Sequence, residues 1–213
     1  KTIADLGAGK SYLGFVLYDL WLRENPESHL YAIENREALV KTCREIAEKS
    51  GFDRITFVGA SIAEAFAAGG DDLPEQIDAV TALHACDTAT DEAIVFALKK
   101  DAKFIALVPC CQAEVARLLE KTDGSPSSKS LWRHGIHRRE FGSHLTNVIR
   151  ALFLESRGYK VRVTELTGWE HSMKNELILA EKIQRGNAQA SAQLARLLEE
   201  FPVEMKLFEL TKG

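Results

Sequence analysis

The stretch Ile3-Ala4-Asp5-Leu6-Gly7-Ala8-Gly9-Lys10, with Leu30-Tyr31-Ala32-Ile33-Glu34 one helix later, decides the fold. An apolar strand ends in an acid, and a Gly-x-Gly turn then opens a helix. Glycine takes positive φ at little cost and lets a ligand reach the backbone with no Cβ in the way. The second apolar strand closes on Glu34, where a carboxylate accepts hydrogen bonds from a pair of ribose hydroxyls. The two segments together predict the opening βαβ unit of a nucleotide-binding α/β domain.

Other readings of the turn are weaker. Gly9-Lys10-Ser11 looks like the end of a phosphate-binding loop, but the first glycine of that pattern falls on Ala4, and Asp5 would repel phosphate. The dinucleotide pattern G-x-G-x-x-G fails at Tyr12. A bare β-to-α turn that binds nothing explains the glycines but not the acids. Asp5 suits a ligand with an amine-bearing tail, which S-adenosylmethionine has and NAD lacks. The expectation is therefore a Rossmann-like class I methyltransferase core, an α/β fold that binds S-adenosylmethionine through Asp5, Gly7, Gly9 and Glu34.

Composition agrees. The 213 residues, 46% of them hydrophobic, suit one α/β domain over 1–213. A net charge of −4 gives no global attraction to nucleic acid, so such binding needs a local patch. No apolar run reaches membrane-spanning length and no leader is evident, so a cytoplasmic protein is expected. Four cysteines, two adjacent at Cys110 and Cys111, make a poor disulfide framework and point to reduced thiols. Lys1 stands almost inside the first strand, so upstream residues are expected. Oligomeric state is left open.

Strand and helix patterns alternate, which argues for a mostly parallel, seven-stranded sheet with helices on both faces. Strands are expected near 3–6, 30–34, 55–58, 77–83, 104–108, 159–166 and 175–181, the last two as a hairpin-like pair. Helices are expected over 12–24, 37–50, 62–68, 91–100, 143–157 and 188–200. Gly69 to Asp72 reads as a loop. Thr122 to about Ser130 reads as an irregular insertion, which with the basic segment after it occupies 122–142. Residues 186–213 form a C-terminal helical extension.

Ligands of doubly wound sheets bind at the C-terminal strand ends. After strand three, Ile62 is placed to flank an adenine and Ser61 to meet its edge. His84 to Asp87 follow strand four, and Pro109 to Gln112 follow strand five. Leu83-His84-Ala85-Cys86-Asp87-Thr88-Ala89-Thr90-Asp91 and Ala106-Leu107-Val108-Pro109-Cys110-Cys111-Gln112 resemble a methyltransferase family that includes a eukaryotic tRNA ribose 2′-O-methyltransferase. That family shows an H-x-C-x-x-A-T-D run and a paired Cys-Cys at the next strand end. His171 to Asn175 is similar to a segment of its bacterial relatives. The resemblance spans about residues 3–112, adds His84 to the cofactor site, and implies an RNA substrate, tRNA-like, rather than DNA. The tRNA enzyme's zinc-binding modules have no counterpart here, and Asp87 stands where the family has glycine.

The catalytic candidates are His84 or Asp87 as a base and Cys110 as a nucleophile on a pyrimidine ring. Small buried cysteines packed between strand ends are the plainer reading of the thiols. The cysteine spacings are not those of a structural zinc site, so no metal is assigned. No Asn-Pro-Pro-Tyr-like run follows strand four, which argues against methylation of an exocyclic base amine. Lys129 to Arg139 is the one concentrated basic stretch. Arg133, Arg138 and Arg139 are candidates for phosphate, and Trp132 for stacking on a base. A solvated basic face serves equally well for these cations. A non-catalytic cofactor- or RNA-binding module is the alternative, as is a protein or small-molecule acceptor.

Overall fold

The computed structural model describes residues 1–67, 73–83, 85–122, 125–166 and 176–212. The loop assigned to 69–72, His84 and the 171–175 segment lie outside these described residues. Seven strands form one sheet in the order β3-β2-β1-β4-β5-β7-β6. They are β1 (Thr2–Leu6), β2 (His29–Ile33), β3 (Ile55–Val58), β4 (Ala79–Leu83), β5 (Phe104–Val108), β6 (Tyr159–Glu165) and β7 (Glu176–Lys182). The first five are parallel; β7 runs antiparallel between β5 and β6. The Rossmann-like α/β expectation holds. The order reverses between β1 and β4, and that switch point opens a crevice at the strand ends.

Side-chain alternation along the strands sends Ile3 to one face and Ala4 and Leu6 to the other. On the first face, α1 (Tyr12–Leu17), the π-helical turn that continues it (Tyr18–Leu22) and α2 (Glu37–Ser50) enclose Leu22, Leu30, Ala32, Val40, Cys43 and Phe57. The second face carries the larger core, with Leu6, Ile33, Val80, Ile105, Leu107 and Ile178 from the strands. Against them pack α3 (Ile62–Ala67), α4 (Thr88–Lys99), α5 (Glu114–Lys121), α7 (Gly135–Ser156), α8 (Ala188–Glu200) and α9 (Lys206–Leu210). Close approach of α5 to α7 depends on Gly142, where a Cβ would sit 2.7 Å from the Ala116 amide nitrogen. On the first face, the β4–β5–β7–β6 half carries a cleft of about 340 Å³ floored by Thr81, Ala106 and Leu179.

The insertion loop expected at 122–142 is largely helical. Ser125 accepts a hydrogen bond from the Ser128 amide at 3.1 Å and Pro126 opens α6 (Pro126–Trp132). Ser-Pro, read as a loop signal, is here an N-cap followed by the N1 proline that helices favour. The helix expected from 143 starts at Gly135, and α5 after β5 carries no counterpart in the sequence reading, while α9 falls within the helical extension expected over 186–213. Trp132 is a second correction. It is 5% exposed and stacks on Phe141 with ring centres 5.6 Å apart, so it packs in the core and cannot stack on a base.

Candidate functional site

The turn after β1 takes the form its glycines allow. Gly7 and Gly9 have φ of +69° and +60°, and the space around a Gly7 Cβ is open. Parallel pairing sets Asp5 beside Thr81 of β4, whose hydroxyl donates to the Asp5 carboxylate at 2.7 Å. Asp5 is 3% exposed, and burial pushes its pKa up to about 6 against the pull of Thr81.

Glu34 leaves β2 facing the same turn. Its Oε2 accepts from the Gly9 amide at 2.8 Å and from Arg36 Nη2 at 3.1 Å. Its Oε1 accepts from the Arg36 amide at 3.0 Å and Arg36 Nε at 2.8 Å. Burial works to raise the Glu34 pKa, but these bonds outweigh it and hold the carboxyl below its usual range. Four donors fill the acceptor sites of a carboxylate. A ribose diol would reach Glu34 by displacing the Arg36 side chain, which is largely exposed although Glu34 itself is buried.

Gly7, Glu34 and Arg36 border a cavity of about 360 Å³ whose wall also includes Ser61, Ile62, Ala85 and Cys86; buried Asp5 lies behind that wall rather than on it. Ser61 and Glu64 bond reciprocally: the Ser61 amide donates to Glu64 Oε2 at 2.8 Å and the Glu64 amide to Ser61 Oγ at 3.1 Å. The Ser61 amide and hydroxyl thus serve a capping box at the start of α3. Ile62 offers an apolar wall.

Asp87 does not stand as a base. Its Oδ1 accepts from the Ala113 and Glu114 amides, each at 3.0 Å, and its Oδ2 from Arg117 at 2.9 Å. Burial would raise its pKa; the bonds from Glu114, Arg117 and Ala113 keep it low. The residue has φ +52°, which explains why glycine suits the position, and the side chain instead ties the β4 loop to the start of α5. Cys110 is also poorly suited to act as a free thiolate, since burial and the neighbouring thiols push its pKa up to about 12.

Behind these loops lies a network that sequence reasoning missed. Arg150 of α7, fully buried, donates from Nε to Asp91 at 2.8 Å and from Nη2 to the Asp87 carbonyl at 2.7 Å. Gln112 donates to Asn147 and accepts from Ser143 at 2.8 Å, fastening the loop after β5 to α7. Asp91, the last residue of the quoted run, is thus structural. No local pattern marked Arg150, because its partner is 59 residues away. Arg36, two residues after Glu34, was within reach of the sequence reading.

The basic stretch lies along α6 and the first turns of α7, with Lys129, Arg133 and Arg138 lining a groove of about 470 Å³. Arg138 pairs with Glu120 at 3.3 Å, and Arg139 with Glu140 at 3.0 Å, all at least partly exposed.

A family model described as a methyltransferase domain matches residues 1–118, the half that carries the glycine turn, Glu34 and the cysteine loops. The chain belongs to this methyltransferase family. A Xenopus laevis protein named for a glutathione S-transferase C-terminal domain is 26% identical over 203 residues, covering 85% of this chain and 31% of its own length. The chain therefore spans about a third of that relative. Among solved structures, an rRNA methylase from Streptococcus thermophilus superposes with a TM-score of 0.53 at 14% identity, over 86% of this chain and 87% of that one. M. capricolum TrmK, bound to S-adenosyl-homocysteine, gives 0.53 at 14% identity over 92% and 68%. At these identities the structures speak for the fold.

S-adenosylmethionine is the cofactor this methyltransferase fold takes, and the methyltransferase site fits it. The space beside Gly7 would be filled by any larger residue, Glu34 offers a diol acceptor, Ile62 an apolar wall, and Asp5 a carboxylate that a cationic tail would keep ionised. Ala85 and Cys86, which follow β4, contribute to the same wall.

Proposed function

We propose that this methyltransferase domain holds S-adenosylmethionine in the cavity between Gly7, Glu34, Ile62 and Cys86 and methylates RNA, with tRNA-like structure the preferred acceptor. The observation that carries the donor half is the juxtaposition of the open Gly7 turn, the Glu34 carboxylate and buried Asp5 within a chain of methyltransferase family. The bound cofactor supplies an electrophilic methyl group. Each described carboxylate near it is already engaged: Asp5 by Thr81, Glu34 by Arg36 and Gly9, Asp87 by α5, and Glu92 by Lys206 at 2.6 Å. The chain's own contribution is then chiefly to hold donor and acceptor in line and to exclude water, which can supply several kcal/mol of the barrier.

RNA is favoured by the cationic groove of α6 and α7, by the resemblance of the 83–112 segments to a tRNA methyltransferase family, and by the rRNA methylase among the structural neighbours. The exposed pairs of Arg138 and Arg139 are worth little, so phosphates can take over both cations. His84 and Cys110 remain the acceptor-side candidates. Incubation of the chain with labelled cofactor and total RNA, followed by nucleoside digestion, tests the reading. A labelled 2′-O-methyl nucleoside supports ribose methylation, and a C5-methylpyrimidine would instead make Cys110 a nucleophile. Label found only on protein or small molecules, or cofactor binding with no transfer at all, would remove RNA from the function.

A further inference from the structure

Cys86 and Cys110 are 24 positions apart and no spacing rule joins them, yet the sheet does. Parallel pairing of β4 with β5 sets Leu83 opposite Val108, so the segments leaving the two strands emerge side by side. The Asp87 amide donates to the Cys111 carbonyl at 2.6 Å, which locks the two segments together. Cys86 and Cys110 then stand with sulfurs 3.0 Å apart, and the sulfurs of Cys86, Cys110 and Cys111 all lie within 4.8 Å of one another. Asp87, Arg150 and Gln112 hold the backbone beneath them from three directions.

We propose that Cys86, Cys110 and Cys111 form a three-thiolate site for a thiophilic divalent cation, zinc foremost, at the mouth of the donor cavity. Three thiolates around zinc at about 2.3 Å in tetrahedral geometry place their sulfurs about 3.8 Å apart. The Cys86–Cys110 separation of 3.0 Å falls short of that distance and the other two are at most 4.8 Å, so small rotations about the cysteine side chains suffice and the backbone stays in place. Three cysteines leave the fourth position open, as in sites where zinc meets a water or a substrate atom. Cys86 is exposed and lines the cavity, which gives the ion a route in and turns the site toward the donor. Binding releases three thiol protons and leaves the oxidation state of sulfur unchanged. A cation also reverses the local electrostatics: sulfurs that would repel one another as thiolates share one positive partner. The ligand is identified by chemistry, since soft thiolates select zinc-like ions over magnesium or calcium.

The test uses the full chain, reduced with a phosphine and stripped by a chelator, then titrated with zinc against a chromophoric chelator. One equivalent per chain is expected, and cobalt in its place should give the intense visible bands of tetrahedral thiolate coordination. Cys110→Ser should weaken binding at least tenfold, while Cys43→Ala, at a buried cysteine of α2, should leave it unchanged. Should Cys110→Ser fail to fold, alkylation of the parent chain with N-ethylmaleimide decides. Zinc should protect Cys86, Cys110 and Cys111, and equal labelling with and without zinc would overturn the site. Zinc uptake that survives substitution of all three cysteines would overturn it too. So would a chain that takes no zinc but closes a Cys86–Cys110 disulfide with oxidised glutathione, which would make the pair a redox couple. None of these readouts involves the methyl donor, so this site and the proposed methyl transfer fail separately.

Discussion

Asp5 is 3% exposed and its pKa is raised from 3.8 to about 6, so the folded chain keeps this proton to a higher pH than the unfolded chain. The sign follows: the fold is least penalised below about pH 4, and loses up to about 3 kcal/mol as pH rises through 6 and the buried carboxyl ionises. A cationic tail bound beside Asp5 offsets that loss by favouring the ionised form. Cofactor affinity should therefore rise by up to about tenfold per unit as pH approaches 6 and level off above it. Asp5→Asn should bind weakly with a flat profile, and should melt higher than the parent at about pH 8. Calorimetric titration and thermal melts from about pH 5 to about pH 8 check both, and a parent profile as flat as the variant's would remove Asp5 from the site. Arg36 gives the opposite kind of variant. Because a ribose bound at Glu34 would displace it, Arg36→Met should bind cofactor at least as tightly as the parent. Binding tenfold weaker would mean that Arg36 itself touches the donor. At this scale the positive-φ turn of Gly7 and Gly9, and the places of Asp5 near the end of β1 and Glu34 just after β2, were legible, because each stands at or beside a strand end. Arg36's grip on Glu34 and the several bonds of Asp87 were not, since sequence names a side chain but not what has already occupied it.

Among the elements, α4, α7 and the two cysteine-bearing loops are joined through Arg150 and Asp91, whose side chains are 1% and 0% exposed. Burial raises the Asp91 pKa and Arg150 opposes it, so the pair depends on both members being present. Arg150→Met alone leaves a buried carboxylate and strips the Asp87 carbonyl of a donor, and should cost about 3–5 kcal/mol. Adding Asp91→Leu should recover most of that loss, because an apolar pair removes the uncompensated charge. Urea unfolding of the single and double variants measures this; equal stability of the two would show that Asp91 is satisfied without Arg150. The helices that carry this network were read unevenly. Residues 37–50 were legible because apolar residues recur on one face and Gly51 ends the helix with φ +67°. The α5 and α6 helices were not: eight and seven residues hold too little periodicity, and Ser125-Pro126 signals a turn as readily as a helix start. The cysteine convergence was hidden for a different reason, since it is made by the register of two strands that the sequence cannot state.

For the molecule as a whole, the net charge of −4 opposes RNA, so RNA affinity is expected from the α6–α7 groove lined by Lys129, Arg133 and Arg138, with Arg139 next to it in the sequence. Each phosphate neutralised there releases condensed counterions, so log K should fall linearly with log salt by about 0.7 per contact on single strands and 0.9 on duplex. Removing two contacting cations by Arg138→Ala with Arg139→Ala should reduce that slope by about 1.4 to 1.8, whichever tRNA is used. The change should appear in the slope rather than in discrimination among sequences, because phosphate contacts position a nucleic acid without reading it. Glu120 and Glu140 lose their partners in this variant, but both are exposed and melting should shift little. Trp132→Phe serves as a control of another kind. The ring packs between Phe141 and Phe201, so the change should lower stability while leaving the salt slope as in the parent. Filter binding to tRNA at stepped salt measures all three proteins. Parallel slopes for the parent and the double-arginine variant would move the RNA surface elsewhere on the chain, and the absence of any slope in the parent would argue for a small-molecule or protein acceptor.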